Sequence, residues 1–325
     1  MKISMFSGQQ LTIREMTQAD IPNVQTFIKQ TFGDEGDFYL SSYPIVSHIP
    51  VVLAEHDKNL IGASSVYHNS LHPYWVEVIV AIAEPYRRQG LGRKLHDAAL
   101  KARPLEKHHI GIKGCYYQGN KSAEAFLFSM GYRLTLDCHC VELNIENFDF
   151  THHLTIPSQL VSHNLLIVSL EELFLAPAKQ QEVFDFLVSR YTEEHFWSPP
   201  HSKDHPEWQE IVFDGVLPEL SFALLEGDRV VGAVTAGITN NTLDLLWGYI
   251  SRQYSTDEAV ALLKCLYAHQ FKAARDRTLY KAEMEIDTTD GISSTLLNWL
   301  PICDDKVWRI LQKPRTPSNH SGAAD

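Results

Sequence analysis

The segment Arg87-Arg88-Gln89-Gly90-Leu91-Gly92 lies between an apolar run over residues 76–82 and a helical pattern over residues 93–101. The order is strand, glycine-containing turn, helix. Such a turn presents consecutive backbone N–H groups at a helix N-terminus, where the helix dipole also favours an anion. Gly90 and Gly92 carry no side chain, so the backbone there can adopt positive φ or come close to a bulky phosphate. Arg87, Arg88, Arg93 and Lys94 add positive charge around the same turn. The segment reads as a pyrophosphate cradle. It is not a P-loop, because no Gly-Lys-Ser/Thr ends it. Nor is it the dinucleotide fingerprint, which needs a glycine where Leu95 stands. An ordinary left-handed glycine turn ahead of a helix is the bland alternative.

The flanks sharpen the reading. Glu84-Pro85-Tyr86-Arg87 precedes the turn, and His109-Ile110-Gly111-Ile112 reads as the next strand. Asn120 then opens a helix whose apolar face is Ala123, Phe126, Leu127 and Met130, closed by Gly131-Tyr132. The spacing Arg87-x-x-Gly90-x-Gly92 resembles the acyl-CoA signature of the GNAT N-acetyltransferase superfamily. The stretch from Asn120 to Gly131-Tyr132 resembles that family's second motif. Both motifs stand in the family's order, and the resemblance covers roughly residues 10–145. It implies a mixed α/β sheet of order β–α–β–β–β–α–β–α–β, and the strand and helix patterns over residues 11–144 follow that order.

A chain of 325 residues suits two domains. No apolar run of eighteen residues appears and the N-terminus has no signal-peptide core, so no membrane partner is expected. Five cysteines without scaffold spacing suit reduced thiols and a cytoplasmic setting. Residues 1–148 carry 14 basic and 15 acidic residues, leaving 14 basic and 25 acidic in the rest. The second half therefore holds nearly all of the net charge of −12. That acidity argues against a nucleic-acid partner. It suits a cationic amine, or simply a solvated surface.

The expected domains are an N-terminal GNAT-like unit at 1–148, a linker at 149–163, a degenerate GNAT-like unit at 164–312 and a disordered tail at 313–325. Both halves carry a strand, a charged turn and an apolar-Gly-Ala-apolar strand, at 51–67 and 221–235. The halves differ at the cradle. Ser251-Arg-Gln-Tyr-Ser-Thr256 has no glycine, so no CoA site is expected there, and the second half is read as a support.

The resemblance implies acetyl-CoA as cosubstrate and an enzyme transferring acetyl directly to a primary amine, on a small molecule or a lysine side chain. In that reading a backbone N–H at Ile82 or Ala83 polarises the acetyl carbonyl. The backbone of Arg87, Arg88, Gln89, Gly90, Leu91 and Gly92, with Arg93, holds the pyrophosphate, and Asn120 contacts the pantetheine arm or a water. Glu77, a carboxylate among Val, Ile and Ala, is the candidate general base, against a salt-bridged or solvent-facing alternative. Glu84 is the fallback. The family's helix tyrosine, seven residues after the asparagine, is replaced by Leu127. Tyr116, Tyr117, Ser129 and Tyr132 are the nearby candidates for a general acid. The substitution also supports an alternative, a non-catalytic acyl-CoA-binding regulatory or scaffold protein. No metal is expected: Cys138-His139-Cys140 alternates faces on a strand, and His195, His201 and His205 lie in an aromatic, proline-bearing loop that specifies a metal site poorly and reads rather as a substrate-covering or plain surface loop. A monomer or homodimer is compatible with all of this.

Overall fold

A computed structural model describes residues 11–315 apart from 44, 47 and 48. Contacts divide it into two compact units that do not follow chain order. Unit 1 takes residues up to Tyr116, Asn120–Leu134 and the chain from Leu311 onward; unit 2 takes Tyr117–Gly119 and Thr135–Ile310.

The N-terminal part of the chain runs β1 (Leu11–Glu15), α1 (Ile21–Phe32), α2 (Gly36–Ser42), β2 (Val51–His56), β3 (Asn59–His68), β4 (Trp75–Ile82), α3 (Leu91–Ala102), β5 (Gly111–Tyr117), α4 (Lys121–Ser129) and β6 (Arg133–Asn144). The strand order in unit 1 is β1-β2-β3-β4-β5. The first four strands are antiparallel, with Val51 opposite Ser65 and Gly62 opposite Ile82. β4 and β5 are parallel, as a strand–helix–strand crossover requires. β3 is buried along nearly its whole length, so it is covered on both faces, as central strands of mixed sheets are. Leu91, Leu95 and Ala99 give α3 its apolar stripe, which packs with Val52, Ile61, Val76 and Ile112 into the unit 1 core.

The rest of the chain runs β7 (Leu165–Ser169), α5 (Leu170–Leu173), α6 (Pro177–Glu194), α7 (Glu207–Ile211), β8 (Phe222–Glu226), β9 (Arg229–Thr239), β10 (Thr242–Ile250), α8 (Thr256–Arg275), β11 (Lys281–Asp287) and β12 (Ile302–Pro314). In unit 2 the order is β12-β6-β11-β10-β9-β8-β7. β10 and β11 repeat the parallel pairing of β4 and β5. The core gathers on α8, which buries eleven residues including Leu262, Leu266 and Phe271.

Several expectations shift. β6 is read above within residues 1–148, yet all but its first two residues belong to unit 2, where Lys281 to Asp287 pair with Asn144 to Cys138. β12 runs past the expected domain end at 312 and enters unit 1 at Leu311. Lys313 and Pro314, assigned to the tail, end that strand; residues 316–325 lie outside the described residues. The helices α2, α5 and α7 have too few turns to show a period in sequence.

The segment 149–163 is not a free tether. Phe150 and Leu160 are buried in the unit 2 core, and two 3₁₀ turns shape the segment. The Arg275 guanidinium lies over the Phe150 ring at 4.3 Å and donates from Nε to the Ile145 carbonyl at 2.6 Å. Hence Phe150→Ala is expected to cost unit 2 about 3 kcal/mol. A chemical denaturation midpoint equal to wild type would show that the segment is only a linker.

Candidate active site

The parallel ladder between β4 and β5 is short. Trp75, Val76 and Glu77 lie opposite Gly111, Ile112 and Lys113, and pairing then stops, although β4 continues to Ile82 and β5 to Tyr117. The strands part beyond that rung. Glu77 Oε1 and Lys113 Nζ form an ion pair of 2.8 Å across it, with side chains 12 and 11 % exposed. Glu77 is therefore in the salt bridge weighed above, and it is absent from the lining of the cavity that opens beyond the fork.

That cavity holds about 520 Å³ and lies wholly within unit 1. Val78 to Ile82 form one wall. Antiparallel alternation decides what those residues offer. The Ala83 N–H donates to the Ile61 carbonyl at 2.9 Å, so alternate residues of β4 turn their backbone toward β3. Val80 and Ile82 turn theirs to the side that β5 has left. Of the two donors expected, Ala83 is thus occupied in the ladder and Ile82 faces the opening, with Val80 beside it.

The turn after β4 is held at three points. Tyr86 OH meets His56 Nδ1 at 3.2 Å, Arg87 Nε donates to the Ile82 carbonyl at 2.9 Å, and Gln89 Nε2 donates to the Pro85 carbonyl at 3.0 Å. Arg88 has φ +62° and Gly90 φ +83°. Left-handed residues in such a turn make the amides concave toward one point. No side chain caps α3, and its first helical bond is Lys94 N–H to the Gly90 carbonyl, so the N–H groups of Leu91, Gly92 and Arg93 have no intrahelical partner. Arg87, Arg88 and Arg93 line the cavity at this end. Gly90 is needed for its backbone angle. Gly92 is needed for packing: a Cβ there would stand 3.0 Å from Phe126 Cε2 of α4. Glu84 is exposed in a 3₁₀ turn, away from the cavity lining.

Asn120 caps α4, its Oδ1 accepting the Ala123 N–H at 3.1 Å. That bond explains the asparagine, whose side chain satisfies a backbone N–H in the first turn of the helix. Among the candidate acids, Tyr116 donates to Glu124 Oε1 at 3.1 Å, Tyr117 lies against Trp308 with the rings tilted by 36°, and Ser129 donates to the Phe126 carbonyl. Tyr132 and Ser129 line the cavity; Tyr116 and Tyr117 do not.

The sequence reading did not name several lining residues, among them Glu35, Tyr39, His96 and Cys115. Glu35 and Tyr39 come from the aperiodic stretch around α2, which carries no sequence signal. His96 did carry one, a histidine beside the apolar stripe of α3. Glu35 is the only carboxylate among the described lining residues. Burial pushes the Cys115 thiol up to about 12, so it is no thiolate nucleophile at neutral pH.

Unit 2 treats the corresponding helix start differently. Ser255 caps α8, and the Glu258 carboxylate accepts the Ser255 N–H at 2.8 Å. A fixed negative charge therefore occupies the position where an external anion would sit. Elsewhere in this unit His201, His205 and Glu207 bring ligand atoms within 4.8 Å. The two imidazoles stack face to face at 3.8 Å with planes 2° apart. His139 Nδ1 pairs with Asp305, while Cys138 and Cys140 face the β11 side chains. Among the described residues no helix is long and apolar enough to cross a membrane.

The Glu77–Lys113 pair yields a test. Lys113→Met strands a buried carboxylate and is expected to cost about 3 kcal/mol, with Glu77→Gln restoring most of it in the double variant. If the double variant is no more stable than Lys113→Met, measured by denaturant titration, the ion pair does not hold the fork.

Comparison with known proteins gives the same picture. Residues 47–134 match the acetyltransferase (GNAT) domain family. No curated protein matches the sequence. Among solved structures, a GCN5-related N-acetyltransferase from Sphaerobacter thermophilus is similar over 94 % of this chain and 95 % of its own, at 16 % identity and TM-score 0.64. A tandem GNAT protein from the clavulanic acid biosynthesis pathway is similar over 95 % of this chain and 100 % of its own, at 12 % identity and TM-score 0.55. These identities establish the fold: an α/β protein of two GNAT-like domains.

Proposed function

We propose that this chain, whose residues 47–134 form a GNAT domain within a tandem GNAT fold, transfers an acetyl group from acetyl-CoA to a primary amine. The observation that carries the reading is one cavity joining the β4–β5 fork to the uncapped, arginine-lined start of α3. An elongated acyl carrier with a charged end needs both features: backbone groups along its arm and an anion seat at its tail. The residues of this chain divide the work. The N–H groups of Leu91, Gly92 and Arg93, with Arg87 and Arg88, hold the pyrophosphate. The backbone of Val80 and Ile82 orients the arm and supplies a donor for the acetyl oxygen. Bound acetyl-CoA supplies the acyl group. Glu35, at the end formed by α1 and α2, attracts the cationic amine. The high pKa of Cys115 favours direct attack over an acyl-enzyme.

A second reading, a non-catalytic acyl-CoA-binding protein, draws on two observations: Leu127 stands where the resemblance expects a tyrosine, and Glu77 is engaged by Lys113. The two readings share the cradle and part over turnover. A cytoplasmic site of action and an amine or lysine acceptor belong to the first.

Calorimetric titration with acetyl-CoA is expected to give one site per chain. Gly90→Glu is expected to abolish binding in a folded protein, because it sets a carboxylate at the anion seat and forces a side chain onto φ +83°. Two sites per chain would overturn the assignment of unit 2 as cofactor-free. Binding without release of free thiol across an amine panel would select the second reading.

A further inference from the structure

The cavity carries opposite charge at its two ends. Arg87, Arg88 and Arg93 stand at the start of α3, while Glu35, the one carboxylate among the described lining residues, comes from the turn between α1 and α2. The Glu35 charge is among those that push the Cys115 thiol up. That places the carboxylate near β5 two residues beyond the Lys113 rung, at the fork. Glu35 stands directly before α2 without capping it, and the neighbouring cation Lys29 pairs with Asp37 at 2.5 Å. A close crossing sets its position. A Cβ on Gly36 would lie 2.7 Å from Lys29 Cα, so only glycine lets α2 turn back this tightly on α1.

An aromatic side chain stands beside the carboxylate. Phe32, the last residue of α1, is half-buried and lines the same end of the cavity. Its ring stacks on Tyr39 of α2 at 3.9 Å with planes 25° apart. Tyr39 is 4 % exposed, so it backs the Phe32 ring rather than offering a contact surface of its own. Tyr43 lies behind it at 6.2 Å. Tyr67 of β3 meets Tyr43 edge-on at 5.1 Å, and its hydroxyl donates to the Tyr43 carbonyl at 3.1 Å. Three tyrosines thus tie the Phe32 ring to the central strand of the sheet.

We propose that Phe32 and Glu35 select the acceptor, and that it is a small arylalkylamine: a primary ammonium on a short link to a flat apolar ring. The proposal rests on the acetyl-transfer reading and names its amine. The ammonium is drawn to the Glu35 carboxylate, and the apolar body lies against Phe32. Ring and carboxylate come from positions three apart in one turn, so they engage groups that lie close together on one molecule. Other primary amines fit less well. A diamine brings a second cation, for which the described lining offers no second carboxylate and, at the far end, three arginines. A lysine side chain brings a flexible chain without a ring face, and ordering it against Phe32 costs rotamer freedom.

The test separates binding from turnover. Amines are titrated calorimetrically into the full chain saturated with CoA, and kcat/KM is measured by thiol release from acetyl-CoA. 2-Phenylethylamine is expected to exceed putrescine and Nα-acetyl-lysine amide by about tenfold in both. Phe32→Leu keeps an apolar side chain and is expected to weaken 2-phenylethylamine by about fivefold, so that its lead over the other two amines collapses. Glu35→Gln is expected to weaken all three amines by about tenfold. Acetyl-CoA affinity stays within about twofold in both folded variants, because the pyrophosphate seat lies at the other end. Preference for putrescine or the lysine amide would overturn the proposal and leave acetyl transfer standing. Phe32→Leu weakening acetyl-CoA instead of the amine would also overturn it, by seating the acyl carrier on that ring. Selective binding of 2-phenylethylamine without thiol release would support the site and refute the transfer reading. No amine bound and none acetylated would refute both.

Discussion

The site depends on the parting of β4 from β5. A parallel ladder that stops after one ion-paired rung leaves two strand ends without mutual hydrogen bonds. Backbone groups left unpaired beside a cavity are costly unless something else satisfies them. The antiparallel partner β3 takes alternate residues and leaves Val80 and Ile82 toward the opening. The ion pair of Glu77 and Lys113 stands at the point of divergence, where strand alternation turns both long side chains toward each other. A carboxylate in an apolar strand invites a catalytic role, but here a cation on the neighbouring strand accounts for its burial.

The two helix N-termini show how one architecture takes opposite electrostatic roles. α3 begins after a left-handed glycine, without a side-chain cap and among three arginines. α8 begins with a serine and folds its own Glu258 back onto the start. The helix dipole is the same in both. In α8 it is answered within the chain, and the capping box stabilises the unit 2 core. In α3 no side chain answers it, and the turn before it carries two residues of positive φ, Arg88 and Gly90.

Strands and long helices were legible because their periods are long enough to register. The hairpins at 51–67 and 221–235 and the glycine turn before α3 appear in the structure close to where the sequence patterns lie. The reasons behind particular residues were less legible. Gly92 reads as a phosphate-approach glycine, yet its Cβ position is occupied by Phe126 of another helix. Asn120 reads as a ligand contact, and its oxygen is spent on a helix cap. Residues 149–163 read as a polar linker, while Phe150 and Leu160 supply core.

The sequence by itself determined the strands and long helices, and a glycine turn that stands before α3 and is missing before α8. These follow from local rules: apolar periods, glycine backbone freedom, capping chemistry. Only the tertiary structure decided that Glu77 meets Lys113, that Ala83 is consumed by β3, that β6 and β12 each divide between the units, and that Glu35 and Cys115 line one cavity. Each joins residues far apart in the chain or turns on strand register, and register is settled by packing across neighbouring strands rather than by any one segment.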